Sequence, residues 1–447
     1  MTHRGSHGRQ EHGSGDPGSG HHGHGDHGAH GDGTRLPAMT SVVEHRERIL
    51  ATLSALPAVA VPLPLAQGRV LAVDVVARVD VPGFENSAMD GYAVRTADTA
   101  GATPEAPVAL RVVADLPAGS ALDPKLAAGE AVRIMTGAPV PHDADGIVPV
   151  EDTDAGTGTV LVYRAPEPAA HIRRAGADVR AGEPVLPAGR MLGARDLAAA
   201  AAVGVRELLV HPAPRIGVLS TGTELRPAGE RLERGQIHDS NSVLLAAAVA
   251  ECGAVPVQLG SVPDDEDALR TVFEQHAAGV DAFITSGGVS VGAYDVVKAV
   301  LAPLGVWFGP VRMQPGKPQG FGRWPGRDGS EGTPIFALPG NPVSVFVSFE
   351  EFVRPALLAL QGRRDVLREP LRGVASEGWR SPQGRAQYMP VVAERHPDGT
   401  LGVRPASSGG SGSYLVAGLA GANALVVVPE AVTEVRAGDL VDVTLVP

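Results

Sequence analysis

The sequence predicts a multidomain protein that combines a doubly wound parallel-sheet α/β domain with all-β domains. The chain has 447 residues, more than one hydrophobic core accommodates. From Pro214 onward, apolar segments of strand length alternate with helical patterns, which is typical of a parallel sheet covered on both faces. Short Val-rich segments with Gly and Pro between them occupy about Val73 to Glu167 and return from about Leu371, which indicates two all-β regions.

Composition narrows the classes of function. The 50 acidic and 38 basic side chains give a formal charge of -12, and only 4% of residues are aromatic. Neither value suits binding to nucleic acid or an anionic membrane, so we expect no such partner. No apolar run approaches the roughly 20 residues of a spanning helix, and we expect a cytoplasmic protein. The single cysteine, Cys252, excludes a disulfide framework within one chain and is expected to be a buried helix residue.

Residues 1–36 form a tail rich in Gly and His, which we predict to be disordered because it has little apolar surface to bury. Its histidines are His3, His7, His12, His21, His22, His24, His27 and His30. Imidazoles at this density bind zinc or nickel, but their irregular spacing imposes no coordination geometry. We therefore give the tail no part in the active site, and a role as a metal store stays open.

The part of the chain before the α/β region is predicted to contain an amphipathic helix, several strands and a second, short helix. Apolar residues recur at helical spacing from Thr40 to Leu56 and stop at Pro57, which predicts one amphipathic helix. Strands are predicted at Val108–Ala114 and Ala131–Met135, and a short helix at Arg195–Val203.

In the α/β region, the predicted strands are Ile216–Ser220, Val255–Leu259, Asp281–Thr285, Trp307–Met313 and Ile335–Leu338. The predicted helices are Ser242–Cys252, Glu266–Ala277, one that begins at Asp295–Leu301, and Pro342–Leu360. Alternating apolar residues after about Leu371, ending in Ala424–Val428 and Leu440–Leu445, predict a small β-barrel or sandwich.

Each predicted strand of the α/β region runs into a cluster of Gly, Pro or carboxylate residues. The clusters are Ser220–Glu224, Pro263–Asp265, Ser286–Asp295, Pro315–Pro318 and Leu338–Pro342. Ligands of open parallel sheets bind beyond the carboxyl ends of the strands, where loops and helix amino termini converge. We therefore expect one binding site built from these clusters.

The residue types in these clusters indicate a phosphate and a metal. Glycines let backbone amides approach a phosphate, and Lys317 adds a positive charge. The loop residues in question are Ser286, Gly287, Gly288, Ser290 and Gly292. Carboxylates on one edge repel each other unless a hard cation such as Mg²⁺ lies between them, and the candidate metal ligands are Glu224, Asp264, Asp265 and Asp295. Each feature alone has an ordinary explanation, such as Asp265 capping a helix, but their joint placement favours phosphoryl-bond chemistry.

Two loops of the first β region, Asn86–Ala93 and Arg133–Pro141, are hairpin connections when judged by their turn residues alone. Together with three of the strand-end clusters, however, they resemble the molybdopterin molybdenumtransferase family. The most specific segments are Asn86–Ala93, Met135–Ala138, Ser286–Asp295, Pro315–Pro318 and Leu338–Pro342. The resemblance extends from about Met39 to Pro447. It implies that the protein inserts molybdate, or the similar dianion tungstate, into adenylylated molybdopterin and releases AMP.

The resemblance also implies an architecture. It implies a homodimer whose active site lies between the α/β domain of one subunit and the β lobe of the other. The implied domains are an extended amino-terminal domain (37–72 and 170–212), an inserted β lobe (73–169), the doubly wound domain (213–365) and a carboxy-terminal β-barrel (366–447).

Site residues follow from the same resemblance. Asp90 and Thr136 are expected to face the pterin substrate, and Arg385 and Ser413 to contribute from the last β domain. Positions that match residues used for catalysis, metal binding or substrate binding are Asp178, Glu224, Asp264 or Asp265, Asp295, Lys317, Pro339 and Pro342.

Two other functions stay open from the sequence. A pterin adenylyltransferase, whose stand-alone domain resembles Pro214 to Leu360, is one alternative and also a candidate partner. A non-catalytic scaffold related to gephyrin is the other. The chain departs from the family at Gln314, where a lysine is usual, at Thr223, where an aspartate is frequent, and in the glycine-rich segment Gly409–Ser413. Loss of the lysine predicts weaker binding of the oxyanion.

Overall fold

The computed structural model describes residues 39–289, 295–326 and 331–446. The predicted tail 1–36 and the loop residues Ser290 and Gly292 lie outside the described residues. Among the helices that are described, none is long and apolar enough to cross a membrane.

The α/β domain is built on a six-stranded sheet. In spatial order its strands are Val255–Val262, Arg215–Thr221, Ala282–Ser286, Thr333–Leu338, Pro318–Trp324 and Trp307–Pro310. The first four run parallel and the last two are antiparallel to their neighbours. The helices are Asn241–Glu251, Glu266–His276, Val296–Leu301, and a continuous segment formed by Pro342–Ser348, a π-helical turn at Phe349–Val353, and Arg354–Leu360.

The sheet is therefore mixed rather than fully parallel, which corrects the prediction at one edge. The Pro318–Trp324 strand was not predicted because two glycines interrupt its apolar pattern. Those glycines are needed for close packing, since a Cβ on Gly320 would lie 2.6 Å from the Phe308 ring and one on Gly322 would lie 2.7 Å from Val306. Because Pro318–Trp324 runs antiparallel to Thr333–Leu338, its first residue still lies at the carboxyl edge of the parallel strands.

Both faces of the sheet are buried, as the doubly wound prediction requires. One face packs Ile216 and Ile284 against the helices Asn241–Glu251 and Pro342–Leu360, and the other packs Phe283 and Ile335 against the remaining two helices. Cys252 ends its helix as a buried thiol, and burial raises its pKa to about 11.

The helix Val42–Leu50 packs against the α/β domain and begins with a capping box formed by Ser41 and Glu44. Its buried residues Val42 and Ile49 join the first core face, and Arg46 pairs with Glu351 at 2.9 Å. This helix thus ties the beginning of the described chain to the α/β domain.

The chain then builds a small domain from two separate stretches. Strand pairs join residues 59–87 to residues 172–211, and a helix spans Ala194–Ala202. The strands are Val59–Pro62, Val70–Leu71, Val75–Val76, Asn86–Ser87, Ile172–Arg173, Pro184–Leu186 and Glu207–His211. Leu71, Leu208 and Val210 are at the centre of its core.

Between the two stretches lies a β lobe with a five-stranded sheet. In spatial order the strands are Gly146–Pro149, Gly91–Val94, Glu130–Ile134, Val108–Leu116 and Thr159–Val162. The carboxy-terminal domain is a closed barrel of the strands Leu371–Ala375, Ala386–Arg395, Leu401–Pro405, Ala424–Val428 and Leu440–Leu445, which confirms the predicted barrel. A short strand, Met313–Gln314, pairs with Ala386–Gln387 and joins the barrel to the edge of the α/β domain.

Candidate active site

The strand-end clusters line a single cleft of about 830 Å³ at the carboxyl edge of the parallel strands. The predicted site residues found on its lining are Glu224, Asp264, Ser286, Gly287, Gly288, Asp295, Lys317, Pro339, Pro342 and Ser413. A cavity of about 910 Å³ at the opposite edge of the sheet contains none of them. We therefore place the site in the first cleft.

Glycines allow the cleft floor to pack closely. Gly287 has φ +97°, and a Cβ there would lie 2.7 Å from the carbonyl oxygen of Thr221. Gly288 has φ +66°, and its Cβ would lie 2.8 Å from Val297. Only glycine fits such positions, so the turn that follows Ser286 packs directly against Thr221 and Val297 at the edge of the sheet that borders the cleft.

The Asp264 carboxylate is held by the neighbouring strand-end loop, and the Glu224 carboxylate lies beside Gly222 of its own loop. Asp264 accepts a hydrogen bond from the Thr223 N–H at 3.1 Å, and a Cβ on Gly222 would lie 2.5 Å from the Glu224 carboxylate. The neighbouring Asp265 accepts the Ala268 N–H at 2.7 Å as a helix cap and is absent from the cleft lining. Of this pair, Asp264 is thus the residue placed to bind a ligand in the cleft.

The donor set suits Mg²⁺. Within residues 39–289, 295–326 and 331–446, no three His, Cys, Asp or Glu side chains form a ready metal site. Mg²⁺ prefers oxygen ligands and is usually held by one or two carboxylates together with substrate phosphates. Glu224, Asp264 and Asp295 place carboxylates on the lining of the cleft.

A buried hydroxyl network supports the floor, and the sequence analysis missed it. Ser286 Oγ lies 2.8 Å from Ser220 Oγ, which donates to Asp239 at 3.1 Å. Asp239 also accepts from the Ser242 N–H and hydroxyl at 3.0 and 2.5 Å. The spacing from Asp239 to Ser242 is that of a helix cap, and this signal could have identified Asp239 from the sequence.

Two residues of the cleft lining carry a buried polar atom. The Thr221 hydroxyl oxygen and the Asn241 side-chain oxygen are buried and have no hydrogen-bond partner among the described residues. Buried polar atoms of this kind are rare in folded proteins because leaving them unpaired is unfavourable. A polar ligand in the cleft would satisfy both.

The barrel contributes the remaining wall. Arg385 donates to the side-chain oxygen of Gln314, a lining residue, at 2.7 Å. Ser413 accepts the Val343 N–H on its carbonyl and the Asn341 side-chain amide on its hydroxyl, both at 3.0 Å. Arg385 is thus positioned at the cleft through Gln314, although it is not itself on the lining.

The other predicted residues lie elsewhere in the same chain. In the β lobe, Asp90 accepts the Thr136 N–H and hydroxyl, both at 2.7 Å. These bonds, first that of the backbone N–H, hold the pKa of Asp90 below its usual range. Asp178 lies in the small amino-terminal domain, where its N–H donates to Val81. None of the three lines the cleft.

Comparisons with known proteins agree with this arrangement. The family descriptions "MoeA N-terminal region (domain I and II)", "Probable molybdopterin binding domain" and "MoeA C-terminal region (domain IV)" match residues 40–204, 217–359 and 372–446. The chain is 46% identical to molybdopterin molybdenumtransferase 2 of Mycobacterium tuberculosis, over 90% of this chain and 98% of the relative. It is 37% identical to molybdopterin molybdenumtransferase of Nostoc sp., over 87% and 88%.

A solved structure is similar over nearly the whole length. The molybdopterin biosynthesis protein moeA of Pyrococcus horikoshii superimposes with a TM-score of 0.77 at 31% identity, covering 91% of this chain and 99% of that one. The fold and the strand-end cleft define an enzyme of molybdenum cofactor biosynthesis, a transferase. The chain belongs to the molybdopterin molybdenumtransferase family, which confirms the resemblance drawn from the motifs.

Proposed function

We propose that the protein inserts molybdate into adenylylated molybdopterin and releases AMP. One observation carries the proposal: a single cleft brings the glycine-bordered Ser286 loop and Lys317 together with Glu224, Asp264 and Asp295. Backbone amides and a lysine suit linked phosphates, and carboxylates suit the cation that accompanies them.

The residues have distinct roles in this proposal. Gly287, Gly288 and Lys317 bind and orient the pyrophosphate group of the substrate. Glu224, Asp264 and Asp295 would each be available to ligate Mg²⁺ together with the substrate phosphates, and the cation would neutralise the phosphate oxygens. An oxygen of molybdate or of water attacks the adenylyl phosphorus, and the bridging oxygen stays on the pterin phosphate as AMP leaves with the attacking oxygen. The two dithiolene sulfurs then bind molybdenum, and the molybdate oxygen that they replace leaves in AMP or, with the thiol protons, as water. Tungstate has nearly the same size and charge and is a candidate substrate.

Two positively charged side chains are placed to bind the oxyanion. Lys317 lies on the cleft lining and Arg385 is held at its border by Gln314, so a dianion between them would meet two cations. The hydroxyl of Ser413 adds a polar contact from the barrel. We assign molybdate to this side of the cleft.

The proposal includes a homodimer. Apolar side chains are exposed across the small amino-terminal domain, at Val59, Leu65, Val73, Val76, Val79 and Leu209. Phe84 and Met89, beside Asp90, are exposed as well. Exposed apolar clusters of this kind mark interaction surfaces. A second copy that covers them would bring its Asp90 and Thr136 to the cleft, with Asp178 nearby to position the substrate.

The cellular setting is part of the proposal. A cytoplasmic location suits the reaction because reducing conditions keep the dithiolene sulfurs free to bind metal. A pterin adenylyltransferase is the partner expected to supply the adenylylated substrate.

The direct test is turnover of purified protein with adenylylated pterin, Mg²⁺ and molybdate, measured as AMP released and molybdenum bound. D295N should lower AMP release by at least two orders of magnitude while the mass in solution stays that of the wild type. Unchanged turnover in D295N would remove Asp295 from the mechanism. Transfer of a nucleotide from ATP to unmodified pterin would instead favour an adenylyltransferase, and absence of any turnover would favour a scaffold.

A further inference from the structure

The cleft has an apolar rim in addition to its polar floor. Ile237, Tyr414 and Val416 line it, and they are 53%, 72% and 44% exposed. Among the described lining residues, Tyr414 is the only Phe, Tyr or Trp, in a chain with 4% aromatic residues. Large apolar side chains exposed at the mouth of a polar cleft are available to cover the apolar part of a ligand.

The turn that carries Tyr414 is anchored to the cleft floor. The preceding residue, Ser413, bonds to Asn341 and Val343, which begin the helix beyond the Leu338–Pro342 cluster. The following residue, Leu415, packs towards the core, where a Cβ on Gly409 or Gly412 would lie within 2.9 Å of it. With both neighbours held inward, the backbone of Tyr414 is fixed at the rim, so binding has to order only the two side-chain torsions of the ring.

Ile237 belongs to the wall that carries Glu224. Its strand, Ile237–His238, pairs with Leu225–Arg226, and the Ile237 N–H donates to the Glu224 carbonyl at 2.9 Å. An aliphatic side chain on this wall and an aromatic one on the barrel wall border the same cleft. A flat ring is the ligand shape that gains most from contact with such surfaces.

We propose that Tyr414, with Ile237 and Val416, forms a subsite for a planar heteroaromatic ring attached to phosphate. The inference rests on the proposed function, because the phosphates of the same ligand would lie on the Gly287 and Lys317 floor. The adenine of the adenylyl group and the pterin are the two rings that the substrate offers. Tyr414 stacks on the ring and is therefore a binding residue rather than a participant in bond cleavage.

Calorimetric binding of ADP and of inorganic pyrophosphate, each with Mg²⁺, tests the subsite. Y414A should raise the Kd for ADP about 5- to 100-fold, because stacking of a base on an aromatic ring is lost. The Kd for pyrophosphate, which has no ring, should stay the same. Y414F should bind ADP like the wild type, and L440A, which removes an exposed apolar side chain elsewhere on the barrel, is the matched surface control.

The outcomes separate the two proposals. If Y414A weakens a pterin phosphate but not ADP, the subsite stands and its ring is the pterin. If Y414A binds ADP, the pterin phosphate and pyrophosphate as tightly as the wild type, stacking is overturned while the phosphate floor stands. If the wild type binds none of them, both proposals fail. As a second readout, the fluorescence of Y414W should be quenched by the ring-bearing ligand and not by pyrophosphate.

Discussion

His45 is a buried histidine that makes folding sensitive to pH. It packs between Trp307 and Phe352, with ring centroids 4.8 and 4.7 Å away, and its Nδ1 has no partner among the described residues. Burial, and to a lesser degree the nearby Arg48, lowers its pKa to about 3 from the ordinary value of 6.5. The His45 imidazole therefore stays neutral in the folded protein, whereas in the unfolded chain it takes up a proton below pH 6.5. The contribution of neutral His45 to the free energy of unfolding is present above pH 6.5 and is lost as the pH falls towards 3.

Urea unfolding of the wild type and of H45F measures this effect. Between about pH 7 and about pH 4.5 the wild type should lose ~2–3 kcal/mol more stability than H45F, since one unit of pKa shift corresponds to 1.36 kcal/mol. Other groups that titrate in this range contribute equally to both proteins. Equal losses in the two proteins would contradict the assignment.

Gln314 stands where the family resemblance leads us to expect a lysine, and its effect on anion binding can be measured. Restoring the charge in Q314K should tighten molybdate binding about 3- to 10-fold at low salt, and less at high salt, because a dianion gains a third nearby cation. Q314A is the matched control, since it removes the bond to Arg385 without adding charge, and it should bind molybdate more weakly than the wild type. Weaker binding by Q314K than by the wild type would show that positioning of Arg385 by Gln314 matters more than the added charge.

At the level of elements, the turn after the Ala282–Ser286 strand depends on Gly287. G287A should destabilise the fold by about 1–3 kcal/mol, because a Cβ meets the Thr221 carbonyl at a positive φ, and it should raise the KM for the adenylylated pterin. G438A is the matched control, since Gly438 has φ +93° but nothing within 4 Å of its Cβ. Equal effects of the two variants on KM would argue against a role for the turn in substrate binding.

Individual strands show which parts of the fold and of the candidate site can be predicted from the sequence. The strand Ile216–Ser220 was predicted almost to its observed bounds, because a buried parallel strand is a continuous apolar run. The strand Pro318–Trp324 was missed, since its glycines are explained only by the side chains that pack over them. Asp264 and Lys317 were found from their position after strands. The spacing from Asp239 to Ser242 indicates a helix cap, but the bond from Ser220 that ties Asp239 to the floor of the cleft joins two elements and is visible only in the fold.

At the scale of the whole molecule, the proposed dimer predicts that each active site needs residues from both subunits. Asp90 lies in the lobe and Asp295 on the cleft, and the lobe residue is absent from the cleft lining of its own chain. If each site combines Asp90 of one subunit with Asp295 of the other, unfolding and refolding D90A and D295A together should restore about a quarter of wild-type AMP release. Half of the dimers would then be mixed, and each would hold one intact site.

Each variant refolded alone is the control and should stay inactive. No recovery in a mixture that forms mixed dimers would contradict an active site that combines Asp90 of one subunit with Asp295 of the other. Sedimentation of V76D should meanwhile give a monomer, because a charge replaces an exposed apolar side chain of the proposed interface.

The β lobe is joined to the rest of the chain by two strands that pair with each other. The lobe enters and leaves the chain through the paired strands Asn86–Ser87 and Ile172–Arg173, and the Ala88 N–H donates to the His171 carbonyl at 2.8 Å. Because its two ends are adjacent, such an insert can be exchanged for another without changing the path of the rest of the chain. Exchanging residues 89–170 for those of a relative would therefore transfer Asp90 and Thr136 together. The contacts that we propose between the lobe and the substrate could thus change independently of the residues on the strand-end cleft.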